Sequence, residues 1–181
     1  AQGSPKVVED FAARIPQSDW DKMEKPDFVG VNVYQGDPVE EAGSRSPIPA
    51  GFPLTATKWK VTPEVMRYGI LNVYKRYACP IYITENGLSC NDKVYLDGQV
   101  HDADRIDFLT RYLRCLSQCI EEGVDLRGYL QWSFLDNFEW SSGYSERFGI
   151  IYVDYATGQR IPKDSARWYR QVIQSNGEIL K

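Results

Sequence analysis

Histidine is nearly missing from this sequence: His101 is the only one among 181 residues. A histidine-built metal cage is therefore not expected, and nothing else in the sequence calls for a metal or an organic cofactor. No apolar run approaches the 18 or so residues of a membrane span. The opening AQGSPKVVED lacks the charged and apolar regions of a signal peptide, so a cytoplasmic setting is the default expectation. Lys and Arg nowhere cluster, and 21 basic against 25 acidic residues give a net charge of −4. Nucleic acid and anionic membranes are thus poor partners, and a neutral one fits better. Low-complexity sequence and linkers are absent too. The four cysteines, Cys79, Cys90, Cys115 and Cys119, are too few for a chain of this size to be a disulfide scaffold, and they read as reduced packing residues.

What is present is an ordinary globular composition, 43% hydrophobic and 25% charged, which excludes disorder. Aromatics reach 13%, with five Trp and twelve Tyr. That suits a site stacking flat apolar faces, although aromatic cores look the same. Along the chain, extended and helical patterns alternate. Ser4-Pro5 opens a predicted helix through Ile15. Residues 27–34, DFVGVNVY, read as a buried strand, followed by a Pro/Gly/Ser-rich loop of the length usually reserved for function or disorder. A helix from Thr62-Pro63 to Tyr77 follows, with Val65, Tyr68, Gly69, Asn72 and Val73 near helical spacing.

Pro80 restarts an extended segment, Ile81 to Thr84, and a polar loop runs from there to His101. Asp102 to Glu122 is the clearest helix, its stripe Ile106, Leu109, Leu113, Leu116 and Ile120, with Gly123 as its stop. Gly128 to Phe134 reads as a third strand. A hairpin over Ile150–Asp154 turns through residues 156–159, and a last helix runs from Pro162-Lys163 to Ser175. Three strand–helix units of this kind describe α/β architecture in one domain, residues 1–181.

Within this frame Glu85 is conspicuous. In IYITENGL, a short β-branched run ends at a carboxylate followed by Asn86-Gly87, and parallel α/β proteins keep their chemistry at the C-terminal ends of strands. The plain alternative is a turn residue.

Strand–Thr-Glu-Asn-Gly resembles the nucleophile motif of glycoside hydrolase family 1, the retaining β-glucosidases. DFVGVNVY at 27–34 and LQWSFLDNFEWSSGYSERFGIIYVDY at 130–155 match the same family in the right order. The resemblance implies a (β/α)8 barrel of the TIM type. A full barrel takes about 250 residues, so this chain corresponds to an incomplete one: its last three units, strands six to eight. The missing N-terminal part, on the same or a second chain, is then an implied partner, because an unclosed barrel leaves two strand edges unpaired.

The resemblance also implies roles. Glu85 becomes the nucleophile and Tyr34 the tyrosine that hydrogen-bonds it, in Asn32-Val33-Tyr34 where the family has Asn-Tyr-Tyr. Asn32, Trp59, Trp132, Glu139, Trp140 and Phe148 become sugar contacts. Glu139 binds hydroxyls, Trp132 stacks beneath the sugar, Trp59 stands at the entrance and Phe148 borders the pocket. The general acid, in a Thr-x-Asn-Glu-Pro segment of the family, has no counterpart, since no Asn-Glu pair occurs in this sequence. Where phosphosugar-specific members carry a small residue, a lysine and a tyrosine, this chain has Glu139, Glu146 and Phe148. The implied substrate is an unphosphorylated β-glucoside, or a galactoside, fucoside or oligosaccharide. The alternative is a catalytically incompetent half-barrel fragment acting as a sugar-binding or association module.

Overall fold

The computed structural model describes residues 13–41 and 43–181. Strands β1 (Val29–Asn32), β2 (Ile81–Asn86) and β3 (Leu126–Gln131) form one parallel sheet in the order β1-β2-β3. Helix α1 (Gln17–Trp20) is a single turn ahead of the sheet. Helix α2 (Val65–Tyr77) connects β1 to β2, and α3 (Ala103–Glu121) connects β2 to β3. A short antiparallel hairpin, β4 (Ile151–Val153) and β5 (Arg160–Pro162), follows β3, and α4 (Asp164–Gln174) ends the third unit. Most of the helix expected over residues 4–15 lies outside the described residues. Its last three residues, Ala13 to Ile15, form a turn and a bend instead. Pro16 explains the difference, because its ring pushes the residue before it out of the α region.

The core lies between the sheet and its helices. Ile81 and Ile83 of β2, Met66 and Ile70 of α2, and Phe108 and Leu109 of α3 are at most 2% exposed. Each such side chain contributes roughly 1.5–3 kcal/mol. The expected stripes are met in part: Leu109, Leu113 and Leu116 are buried on α3, and Val65 and Val73 pack against the core from α2. On α2 the inward positions are Met66 and Ile70, while Tyr68 is exposed and stacked by Arg67. On α3 the seam is Phe108, Leu109, Tyr112, Leu113, Leu116 and Cys119, and Ile120 is 55% exposed. The seam adds aromatics that the expected stripe left out: Phe108 and Tyr112 stack with ring centroids 3.8 Å apart. All four cysteines are free thiols, and the Cys119 thiol bonds the Met66 carbonyl at 3.2 Å.

The other face of the sheet is open. Phe28 and Leu130 are each 53% exposed there, and Phe28 meets Tyr82 edge-on with centroids 5.2 Å apart. β1 and β3 are both edges. No helix among the described residues is long and apolar enough to cross a membrane.

Candidate active site

β2 runs two residues further than its apolar pattern suggests and includes Glu85 and Asn86. Glu85 is thus a ladder residue near the strand end rather than part of a turn: its carbonyl accepts the Val33 amide at 2.9 Å, and the Asn86 carbonyl accepts that of Trp132 at 2.8 Å. Asn86, fully buried, donates its side-chain amide to the Val33 carbonyl at 2.8 Å and accepts the Tyr129 hydroxyl at 2.8 Å. Three strands are therefore tied together directly behind Glu85. Gly87 is glycine because of close approach: a Cβ there would lie 1.8 Å from the Trp132 carbonyl oxygen.

The Tyr34 hydroxyl donates to Glu85 Oε2 at 2.8 Å. Burial, then that bond, then the charges of Glu85 and Glu139 hold the Tyr34 phenol far above its ordinary range. Tyr34 consequently keeps its proton and acts only as a donor, which stabilises an ionised partner. The second carboxylate, Glu139, is linked to this pair through Trp59, which packs on Tyr34 and lines a cavity with Glu139.

Around this pair stand the aromatics. Trp59 packs edge-on against Tyr34 at 5.1 Å, and Phe148 lies 5.8 Å from Trp59 and 6.4 Å from Tyr34 between ring centroids. Phe148 is buried, so it backs the other rings. Trp59 is delivered by the long loop after β1, where a tight turn joins Thr55 and Trp59: the Thr55 amide bonds the Trp59 carbonyl at 2.8 Å. Trp59, Glu139, Trp140 and Glu146 line one open cavity of about 490 Å³, with Lys58 on the same wall. Trp140 is 82% exposed at its rim. Asn32 is exposed on the open sheet face, accepting the Thr84 hydroxyl at 2.6 Å.

β3 stops at Gln131, short of the expected Phe134. From Ser133 the chain changes partners: the Ser133 amide bonds the Phe148 carbonyl at 3.1 Å, and the Asp136 amide bonds that of Ile151 at 3.0 Å. Trp132 therefore sits just beyond the strand, where β3 departs from its neighbour. Gln131 pins that departure, donating to the Trp132 carbonyl at 2.7 Å.

Sequence reasoning missed what holds the Glu139 loop. Asn137 donates to Glu139 Oε2 at 3.2 Å. Asp136 accepts the Gly149 amide at 3.0 Å, Lys163 at 2.8 Å and Arg147 at 2.6 Å. A Cβ at residue 149 would lie 2.2 Å from the Asp136 amide nitrogen, so only glycine closes this loop. Lys163 also pairs with Asp92 at 2.6 Å, and Arg105 joins Asp92 at 2.7 Å to Asp102. Burial, together with the Arg105 charge, lowers the Lys163 ammonium from its usual range, while the same burial pushes the neighbouring Cys90 thiol up to about 12. The available signal was a set of charged residues interrupting otherwise apolar segments, but apart from Asp102 and Arg105 nothing local pairs them.

A strand-end carboxylate is thus bonded by a phenol and surrounded by aromatic rings. The model of the Glycosyl hydrolase family 1 matches residues 8–178. The chain belongs to that family. It is 45% identical over 183 aligned positions to Beta-glucosidase A of Thermotoga maritima, covering 96% of this chain and 41% of the relative. It is 39% identical to a bifunctional beta-D-glucosidase/beta-D-fucosidase of Bifidobacterium breve, covering 88% and 40%. The structure of the Thermotoga maritima beta-glucosidase in complex with noeuromycin superimposes with a TM-score of 0.82 at 44% identity, covering 97% of this chain and 42% of that one. The fold is thus a portion of the family 1 barrel. The chain spans about two fifths of the length of the relatives it matches.

Proposed function

We propose that this chain carries the nucleophile and much of the sugar-binding surface of a retaining β-glycosidase acting on unphosphorylated β-glucosides, galactosides or fucosides. The observation that carries this reading is the 2.8 Å bond from Tyr34 to Glu85, with Trp59 packed on the same phenol and lining a cavity with Glu139. In the retaining mechanism Glu85 attacks the anomeric carbon, forming a glycosyl-enzyme ester while a second carboxyl group protonates the leaving oxygen; water then releases the sugar. Tyr34 keeps Glu85 oriented. Glu139, held by Asn137, accepts sugar hydroxyls, and a charged acceptor makes such bonds strong. Trp132, Trp59 and Trp140 offer apolar faces to the ring and its leaving group, Phe148 backs them, and Asn32 adds a polar contact at the strand end. The general acid comes from the preceding part of the barrel, which also covers Phe28 and Leu130 and closes the edges at β1 and β3. The relative's complex with noeuromycin supports a sugar-like ligand for the corresponding surface.

The test is covalent trapping. A 2-deoxy-2-fluoro β-glucoside with an activated aryl leaving group, applied to the whole barrel, leaves a mass-detectable sugar on Glu85. A label on Glu139 instead reverses the assignment.

A second reading is favoured by the absence of any Asn-Glu pair and by the exposed sheet face: alone, the chain is an incompetent fragment that binds sugar or associates with another module. Under that reading residues 1–181 do not hydrolyse cellobiose, and adding the preceding half-barrel restores nothing. Restoration favours the first reading.

A further inference from the structure

Tyr112 lies on α3, away from the cavity, and is fully buried against Phe108. Packing accounts for its ring but not for its hydroxyl. That hydroxyl accepts the Thr62 amide at 2.9 Å and donates to the Tyr34 carbonyl at 3.1 Å. The Thr62 hydroxyl, three residues ahead of α2, accepts the Gly36 amide at 2.8 Å. Residues 34 and 36 are thus gripped by two side chains, those of Tyr112 and Thr62, and the Thr62 backbone amide ties the two together. The grip falls where the sheet gives out: β1 ends at Asn32, and Val33 makes the last bond to β2. Tyr34, whose phenol meets Glu85, stands beyond the ladder. Burial raises the Tyr112 phenol as well, so it keeps the proton it donates.

We propose that Tyr112, with Thr62, is a positioning residue for the nucleophile, acting through the backbone of Tyr34 to hold the phenol on Glu85. The assignment rests on the reading of Glu85 as nucleophile. Rates in such sites respond to displacements of about 1 Å, and a buried carbonyl released from its donor is free to move or to seek water.

The experiment uses the whole barrel and the trapping reagent above, whose leaving group needs no general acid, so the rate of sugar transfer to Glu85 reports the nucleophile alone. It is measured across pH for the unaltered protein and for Tyr112→Phe, Tyr34→Phe, the double variant and Thr62→Val. Tyr112→Phe keeps the ring stack and is expected to slow transfer roughly two- to tenfold, the usual range for one intramolecular hydrogen bond. In the Tyr34→Phe background the same substitution adds nothing. Thr62→Val slows transfer in the same way and serves if Tyr112→Phe does not fold. A Tyr112→Phe profile superimposable on the unaltered one, or two substitutions whose effects multiply independently, overturns the proposal. Absence of any label on Glu85 in the unaltered protein is a different result, which sinks the reading of the nucleophile. In either case the 13Cζ resonance of labelled Tyr34 still reports the phenol's hydrogen bond, and it shifts in Tyr112→Phe only if the grip is real.

Discussion

The two carboxylates of the site are held by opposite means. Glu85 stands in a strand, fixed by ladder bonds and by uncharged donors from Tyr34, Asn86 and Tyr129. Glu139 stands in a loop whose base is fixed by buried charges drawn from residues 92 to 163. The difference follows from what each support can supply. A parallel sheet leaves its strand ends in register, so short local sequence is enough to aim Glu85. A loop has no ladder, and its shape must be imposed by groups whose geometry is worth the cost of burying them.

The sharpest separation between the two comes from Glu85→Ala in the whole barrel. Turnover should fall by about 10⁴-fold or more while the unfolding midpoint stays put, since no covalent intermediate forms and no buried charge is orphaned. A stability loss comparable to the activity loss would put Glu85 among the structural charges. The Glu139 support should behave the other way. Asp136→Ala leaves Lys163 and Arg147 short of a partner, and denaturant unfolding should record a loss of about 3–5 kcal/mol. Lys163→Met added to it should recover part of that loss. If the double variant is worse than the single one, the cluster is not acting as paired charge.

Next comes specificity at the Glu139 end. Two carboxylates, Glu139 and Glu146, share the cavity wall with one lysine, Lys58. An aryl β-glucoside should be preferred over its 6-phosphate by roughly 10²- to 10³-fold in kcat/KM, the scale of like charges brought together. Equal rates would remove electrostatics from the account of this loop.

The smallest effect belongs to an exposed counterpart of the buried cluster. His101 meets Asp164 at 2.6 Å and Asp97 at 2.9 Å, with Arg167 also on Asp164 and the Tyr95 ring alongside. Asp164, then Asp97, raises the His101 imidazole above its ordinary value. Its contribution is therefore fully present below about pH 6.5, the unfolded value, and fades as pH rises through the higher folded value. The denaturant midpoint should slip slightly over that window, and His101→Asn should flatten the slope. An unchanged slope would assign the pH dependence elsewhere.

The same contrast explains what was legible in the sequence. The bond between Tyr34 and Glu85 was legible because the family resemblance implied it, and the α/β rhythm followed from the spacing of apolar residues. The faces of α2 and α3 were legible only in part, since a list of aliphatic residues does not weigh an aromatic stack such as Phe108 on Tyr112. The end of β3 was also set too late. Ser133 and Phe134 look like strand continuation, yet their bonds go to Phe148 and Ile151. Asp92, Asp102, Arg105, Asp136, Arg147 and Lys163 carry no periodic signal, and only folding brings them together.

That cluster has a consequence for recombining related barrels. Its contacts join three carboxylates, Asp92, Asp102 and Asp136, to three cations, Arg105, Arg147 and Lys163. A crossover anywhere between residues 92 and 163 draws the six from two parents. If the parents distribute the charges differently, the progeny inherit an odd one in the interior. Crossovers before Asp92 or after Lys163 carry the set across whole, so viable chimaeras should concentrate their junctions there.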